Sequence, residues 1–185
     1  MTSAGSVGRD DRLRLFLALR LPETALDVLA GWQAEHIAEG RRVPRENLHV
    51  TLAFLGARPA TELPSILEAL REACRGTGRI AFTPSGWRET RSVGMVVLRD
   101  VDDAAAGLAR RLHAGLEELG VYRPESRPWL PHVTVVRFRE RPRLDPPLPA
   151  MGTFVPSDAA AYLSRLHPTG ARYEVLERVS LIEGG

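Results

Sequence analysis

Apolar positions along this chain alternate between short β-branched runs and longer stretches with one-face helical spacing. Residues 13–19 form a continuous apolar-rich run that reads as a buried strand, and Pro22-Glu23 then opens a helix to about residue 38. Ala25, Val28, Leu29 and Trp32 recur on one face of that helix. Proline suits its first turn, where an N–H would lack an intrahelical partner anyway. An arginine-rich loop, 40–47, leads into a strand at 48–55 that stops at Gly56 and Pro59. A second helix is expected over 61–74, with Leu63, Ile66, Leu67 and Leu70 on one stripe. Two strands, 80–87 and 94–98, flank a charged turn and read as a hairpin. Asp102-Asp103 opens a third helix to about 119, with acids at its positive end and Gly120 just past its last turn. After the loop 121–129 come a strand at 131–138, a proline-rich bridge at 141–149, and two closing strands, 157–166 and 172–182, around the turn His167-Pro168-Thr169-Gly170. This order is that of an α+β fold, and the short links favour antiparallel pairing.

Length and composition narrow the picture. A chain of 185 residues, 44% apolar and 26% charged, is long enough for one globular unit or for two small lobes sharing a core. No apolar run approaches the length that a membrane helix needs, and the run at 15–19 is too short for a signal-peptide core. Residues 1–11 are expected to form a disordered tail and 12–185 a single bilobal domain, in a cytoplasmic monomer. Cys74 stands alone within a helical pattern, so a buried thiol is expected there and no disulfide framework can form within the chain. All 25 basic residues are arginine. GC-rich codon drift suffices to explain that usage, yet it excludes any mechanism built on a lysine, including a Walker-type phosphate loop, a Schiff base or a nucleotidyl-lysine intermediate. A net charge of +2 argues against a long duplex footprint and suits a small phosphorylated ligand or an RNA end.

The candidate chemistry lies in a repeat. His49-Val50-Thr51 recurs as His132-Val133-Thr134, each copy within a strand-forming run. Side chains alternate along a strand, so each copy presents an imidazole and a hydroxyl on one face and buries the valine on the other. A single copy would usually be an ordinary polar face. Two copies with matching flanks suggest two related lobes whose histidines face each other across a cleft. A general acid plus a general base is what phosphodiester cleavage without a metal requires, and histidine serves either role near neutral pH.

The extended motifs carry a family resemblance. Asn47-Leu48-His49-Val50-Thr51-Leu52-Ala53-Phe54-Leu55-Gly56, Pro131-His132-Val133-Thr134-Val135-Val136-Arg137, the opening 14–19 with Leu21-Pro22-Glu23, and the closing Tyr162-Leu163-Ser164-Arg165-Leu166 with Gly170 and Tyr173 resemble the 2H phosphoesterase superfamily. Within it they are similar to the RNA 2′,3′-cyclic phosphodiesterase family, also called 2′-5′ RNA ligase. The segment 87–94 departs from the pattern, being richer in arginine and glutamate. The resemblance implies a bilobal, pseudo-two-fold fold with both histidines at the base of a cleft between two antiparallel sheets, helices outside, and neither metal nor cofactor.

It further implies that His49 is the general acid on the departing O3′ and His132 the base on water, leaving a 2′-phosphate; the residues themselves leave the two roles exchangeable. With a 5′-hydroxyl in place of water the same site, run in reverse, would join RNA ends. Thr51 and Thr134 are placed to bond the non-bridging phosphate oxygens. Arg137 joins the phosphate-binding set on the family pattern alone, because its odd offset from His132 points it to the opposite face of a regular strand unless a bulge or the strand end intervenes. Phe54 is either a platform for the terminal base or a core residue. Trp129 is expected as a wall or loop anchor, and His36, His113 and His167 as structural or solvated. Arg41, Arg42 and Arg45 precede the first motif, and Arg139, Arg141 and Arg143 follow the second as a solvated edge. Clustered metal ligands are missing from both motifs, where threonine stands in place of a second ligand. The expected partner is RNA with a 2′,3′-cyclic phosphate end or a cyclic nucleotide; the alternatives are a non-catalytic RNA-end or nucleotide-binding module and a phosphodiesterase for a small cyclic nucleotide.

Overall fold

The computed structural model describes residues 11–181, so the tail expected at 1–11, apart from Asp11, lies outside the described residues. The elements in chain order are β1 (Arg12–Arg20), α1 (Glu23–His36), β2 (Arg41–Arg42), β3 (His49–Pro59), α2 (Leu63–Cys74), β4 (Phe82–Glu89), β5 (Val93–Asp100), α3 (Ala104–Glu118), β6 (His132–Arg137), β7 (Asp158–His167) and β8 (Gly170–Ser180). Every strand pairing is antiparallel, in the order β4-β5-β6-β3-β1-β7-β8, with β2 on β6. The two expected sheets are therefore two arms of one hydrogen-bonded path. They meet at one residue pair, Val50 opposite Val133, the central residues of the two motifs.

The helices cover one face. Leu29 and Trp32 of α1, Ile66 and Leu70 of α2, and Leu108, Leu112 and Leu116 of α3 share a core with Leu15, Leu17, Leu19, Val50, Leu52, Val133 and Val135. Burial of each such side chain contributes roughly 1.5–3 kcal/mol, which is why the apolar stripes select these helices. The central strand β1 is also covered on its other face, where Phe16 and Ala18 join Ala160, Tyr162 and Tyr173. That double burial explains the unbroken apolar run of residues 15–19. Cys74 is buried, as its helical position suggests, and burial pushes its thiol up to about 11.

One local expectation differs. Asp103 is left-handed (φ 56°) with no side-chain capping bond, and the carboxylate that serves the start of α3 is Asp100, whose Oδ2 accepts the Ala106 N–H at 2.8 Å. A reversal just ahead of the helix folds the earlier acid back onto its open N–H groups. The arginine- and glutamate-rich hairpin has a structural explanation as well. Glu89 is buried and accepts from Arg141 Nε at 3.1 Å and from the backbone N–H groups of Arg143 at 3.0 Å and Leu144 at 2.6 Å. Together with the Trp32 indole, which donates to the Pro147 carbonyl at 2.8 Å, it fastens the proline-rich bridge to the body.

Candidate active site

The Val50–Val133 pair fixes the geometry of the site. Around an antiparallel pair the neighbouring positions face each other, so His49 lies across from Thr134 and Thr51 across from His132. The valines are fully buried on the helix side, and the four polar side chains share the other face, half-buried. Both imidazoles are held alike: the Nδ1–H of His49 donates to the Asn47 carbonyl at 2.7 Å, and that of His132 to the Leu130 carbonyl at 2.8 Å. This use of Nδ1 leaves each Nε2 as the working nitrogen. In His49 it accepts the Thr51 hydroxyl at 3.0 Å.

The surroundings of the two rings differ. His49 rests on an aromatic floor, with ring centroids 4.9 Å from Phe16, 5.7 Å from Tyr173 and 6.2 Å from Tyr162. Burial pulls its imidazole down to about 4, with the charges of His132 and Arg137 acting in the same direction against the Asn47 hydrogen bond. His132 lines a second groove with Thr51, Met95, Trp129 and Leu130. Trp129 donates its indole N–H to the Thr51 carbonyl at 3.0 Å, which makes it the expected loop anchor.

Strand parity would bury Arg137 and Phe54, and the structure does the opposite. Thr134 pairs with Met95 while Val136 pairs with Gly94, so Val135 is an extra residue in β6. Thr51 pairs with Ala18 while Ala53 pairs with Leu17, so Leu52 is an extra residue in β3. One added residue moves everything beyond it to the other face. Arg137 thus returns to the histidine face, where its charge acts on His49. Phe54 is 66% exposed and borders both grooves, which removes the core reading and leaves an available ring. The two bulges occupy the same offset from their histidines, and Arg137 lies two residues beyond the second, at the end of β6.

The groove on the His49 side is lined by Arg14, Arg41, Arg42, Arg137 and Arg172 with Phe16, Phe54 and Tyr173. Of these, Arg14 and Arg172 carried no signal of their own in the sequence. Arg45 instead pairs with Glu23 and Asp27 beside α1, and Arg141 with Glu89, away from the histidines. His36 lies by Trp32 and Glu35, and His167 is exposed at the β7–β8 turn. Among the described residues no cluster of three or more metal-ligating side chains occurs, and no helix is long and apolar enough to cross a membrane.

Comparison with known proteins bears on the family and the fold. Residues 22–172 match the family described as the 2′-5′ RNA ligase superfamily. The chain is 35% identical to the RNA 2′,3′-cyclic phosphodiesterase of Thermus thermophilus, over 91% of this chain and 90% of that one. It is 29% identical to the protein of the same name from Escherichia coli, over 92% and 97%. Among solved structures, TT0787 of Thermus thermophilus superposes with a TM-score of 0.77 at 33% identity, covering 91% of this chain and 98% of that one. Apo LigT of Escherichia coli gives 0.79 at 25% identity, covering 92% and 98%.

Proposed function

The chain belongs to the 2′-5′ RNA ligase superfamily, and on that premise we propose that it opens RNA 2′,3′-cyclic phosphate ends to 2′-phosphates by acid–base catalysis between His49 and His132. The observation that supports this reading is the Val50–Val133 pair, which brings two imidazoles, each with its Nδ1–H bonded to the backbone carbonyl two residues before it, to diagonal positions across one strand junction. Two relatives that match over nine-tenths of the chain are named RNA 2′,3′-cyclic phosphodiesterase.

In the proposed reaction His132 Nε2 takes a proton from water as its oxygen attacks phosphorus in line with O3′. The P–O3′ bond breaks, and O3′ takes a proton from His49 Nε2, leaving a 3′-hydroxyl and a 2′-phosphate. An acid must be protonated, and the burial that holds His49 near 4 keeps it neutral in the free protein. The substrate supplies the remedy. A phosphodiester anion about 4 Å away contributes on the order of 4 kcal/mol at an effective dielectric near 20, or about three pKa units. Binding therefore loads the acid, and Arg137, whose charge opposes that protonation, is neutralised by the same anion. Thr51 and Thr134 donate to non-bridging oxygens from positions across the junction from His132 and His49. Phe54 stacks the terminal base, and the arginines of the His49-side groove hold phosphates further along the strand. A 5′-hydroxyl in the place of water gives a 2′-5′ joint through the same steps.

The test is to incubate the protein, with EDTA, on a short RNA ending in 2′,3′-cyclic phosphate and to read which oxygen retains the phosphate. A 2′-phosphate is expected. An unchanged RNA, with or without conversion of free 2′,3′-cyclic nucleotides, overturns the RNA-end reading.

A further inference from the structure

At each of the two bulges that turn Arg137 and Phe54 into the cleft, the carbonyl of the extra residue accepts a hydrogen bond from a helix side chain. In β6 the extra residue is Val135, whose carbonyl accepts the Val43 backbone N–H at 2.9 Å and the Gln33 side-chain amide at 2.6 Å. Gln33 is 3% exposed on α1, otherwise an apolar neighbourhood, and also donates to the Val43 carbonyl at 3.1 Å. In β3 the extra residue is Leu52, whose carbonyl accepts the Nε2–H of His113 on α3 at 2.7 Å. His113 is held in turn by Tyr122, with ring centroids 4.7 Å apart. The donors cross over: α1, which precedes β3 in the chain, serves β6, and α3, which precedes β6, serves β3.

A regular strand would carry Arg137 and Phe54 to the helix side. The bulged register is favoured where its buried polar groups are paired: the Leu52 carbonyl takes its donor from His113, and the Val135 carbonyl, already bonded by the Val43 N–H, gains a second donor from Gln33, which ties it to Val43. We propose that Gln33 and His113 are positioning residues: by donating to the carbonyls of Val135 and Leu52 they hold the two bulges, and so keep Arg137 and Phe54 on the histidine face. Gln33 lines neither groove, and His113, in the wall of the His132-side groove, has its Nε2–H committed to the Leu52 carbonyl. Their role in catalysis rests on the reading of the reaction given above, whereas their hold on the bulges does not.

The experiment separates the two. Arg137 lowers the His49 pKa in the free protein, so the His49 imidazole, followed by NMR, reports where that guanidinium lies without any substrate. Gln33→Met keeps the length of the side chain and removes its donor. It is expected to raise the His49 pKa as Arg137→Gln does, and the two together are expected to do no more than Arg137→Gln alone. On the RNA substrate, Gln33→Met is expected to raise KM about tenfold with kcat within about twofold. His113→Phe, which keeps a ring against Tyr122, is expected to raise KM by the same factor as Phe54→Ala and not to add to it, and His113→Gln, which retains an N–H donor, to restore it. Should Gln33→Met fail to fold, the His113 series tests the same device in the other arm. An unmoved His49 titration in folded Gln33→Met, or effects that add in the double variants, overturns the proposal. A moved titration in a protein that leaves the RNA untouched sinks the reaction and not the positioning role.

Discussion

The strands β3 and β6 carry the same motif with the same added residue, and they differ in what the bulge delivers and in where the histidine sits. In β3 the bulge exposes Phe54, and His49 is pressed onto Phe16, Tyr162 and Tyr173. In β6 it exposes Arg137, and His132 faces a groove bounded by Met95, Trp129 and Leu130. One backbone device is thus used twice, once to offer a stacking surface and once to offer a positive charge. The repeat supplies what the two arms share, two imidazoles and two hydroxyls. The fifth residue beyond each histidine is where they differ, an exposed aromatic ring in one and a guanidinium in the other.

The comparison breaks most sharply at the histidines. His49→Ala and His132→Ala are each expected to lower kcat at least about a hundredfold with folding intact, the low end of a general acid–base contribution. Their roles separate on a phosphodiester with a nitrophenolate leaving group, which needs no acid: it is expected to restore His49→Ala at least about tenfold and to do nothing for His132→Ala. The opposite pattern would exchange the two roles.

Next come the fifth positions. Arg137→Gln removes a charge-assisted contact of roughly 1.5–3 kcal/mol and is expected to lower kcat/KM by about ten- to a hundredfold for RNA ends and free cyclic nucleotides alike. Phe54→Ala is expected to raise KM by about tenfold, as for one lost stack of roughly 1–3 kcal/mol, and chiefly for substrates whose terminal base can reach the ring. Equal effects of the two variants on every substrate would erase the distinction between the arms.

The smallest effect is on stability. The folded pKa of His49, about 4, lies below its unfolded value of 6.5, so the unfolded chain binds the proton more readily between those pH values. The contribution of neutral His49 is complete above about 6.5 and is lost as pH falls toward 4. His49→Phe is expected to flatten the fall in Tm over that window relative to the parent chain, and an unchanged slope would remove burial as the cause.

Much of this was legible in the sequence because it depends on period. The stripe of α2, that of α1 except Val28, which is exposed while Leu26 is buried, the strand alternation that buries Val50 and Val133, and the hairpin order all follow from which side chains avoid water. So does the sharing of one face by His49 with Thr51 and by His132 with Thr134. Period fails where the ladder is irregular. Parity alone would bury Arg137 and Phe54, because nothing in a local run of Leu52-Ala53 or Val135-Val136 declares an added residue. Gln33 and His113 carried no functional signal, since an amide on an apolar helix face and a lone histidine within a helix are common. Asp102 and Asp103, expected to serve the start of α3, leave that to Asp100 for a similar reason: three acids lie close together, and a left-handed residue chooses among them.

By itself, then, the sequence determined that two imidazoles and two hydroxyls would be presented by paired strands, since alternation and a matched repeat are properties of the chain alone. Tertiary structure decided which other residues reach them. The Val50–Val133 junction brings together residues 83 positions apart, and the side-chain donors to the carbonyls of Val135 and Leu52 arrive only once α1 and α3 have packed against the sheet. Side-chain direction near the site is set by those long-range hydrogen bonds, which a local reading of the chain does not contain.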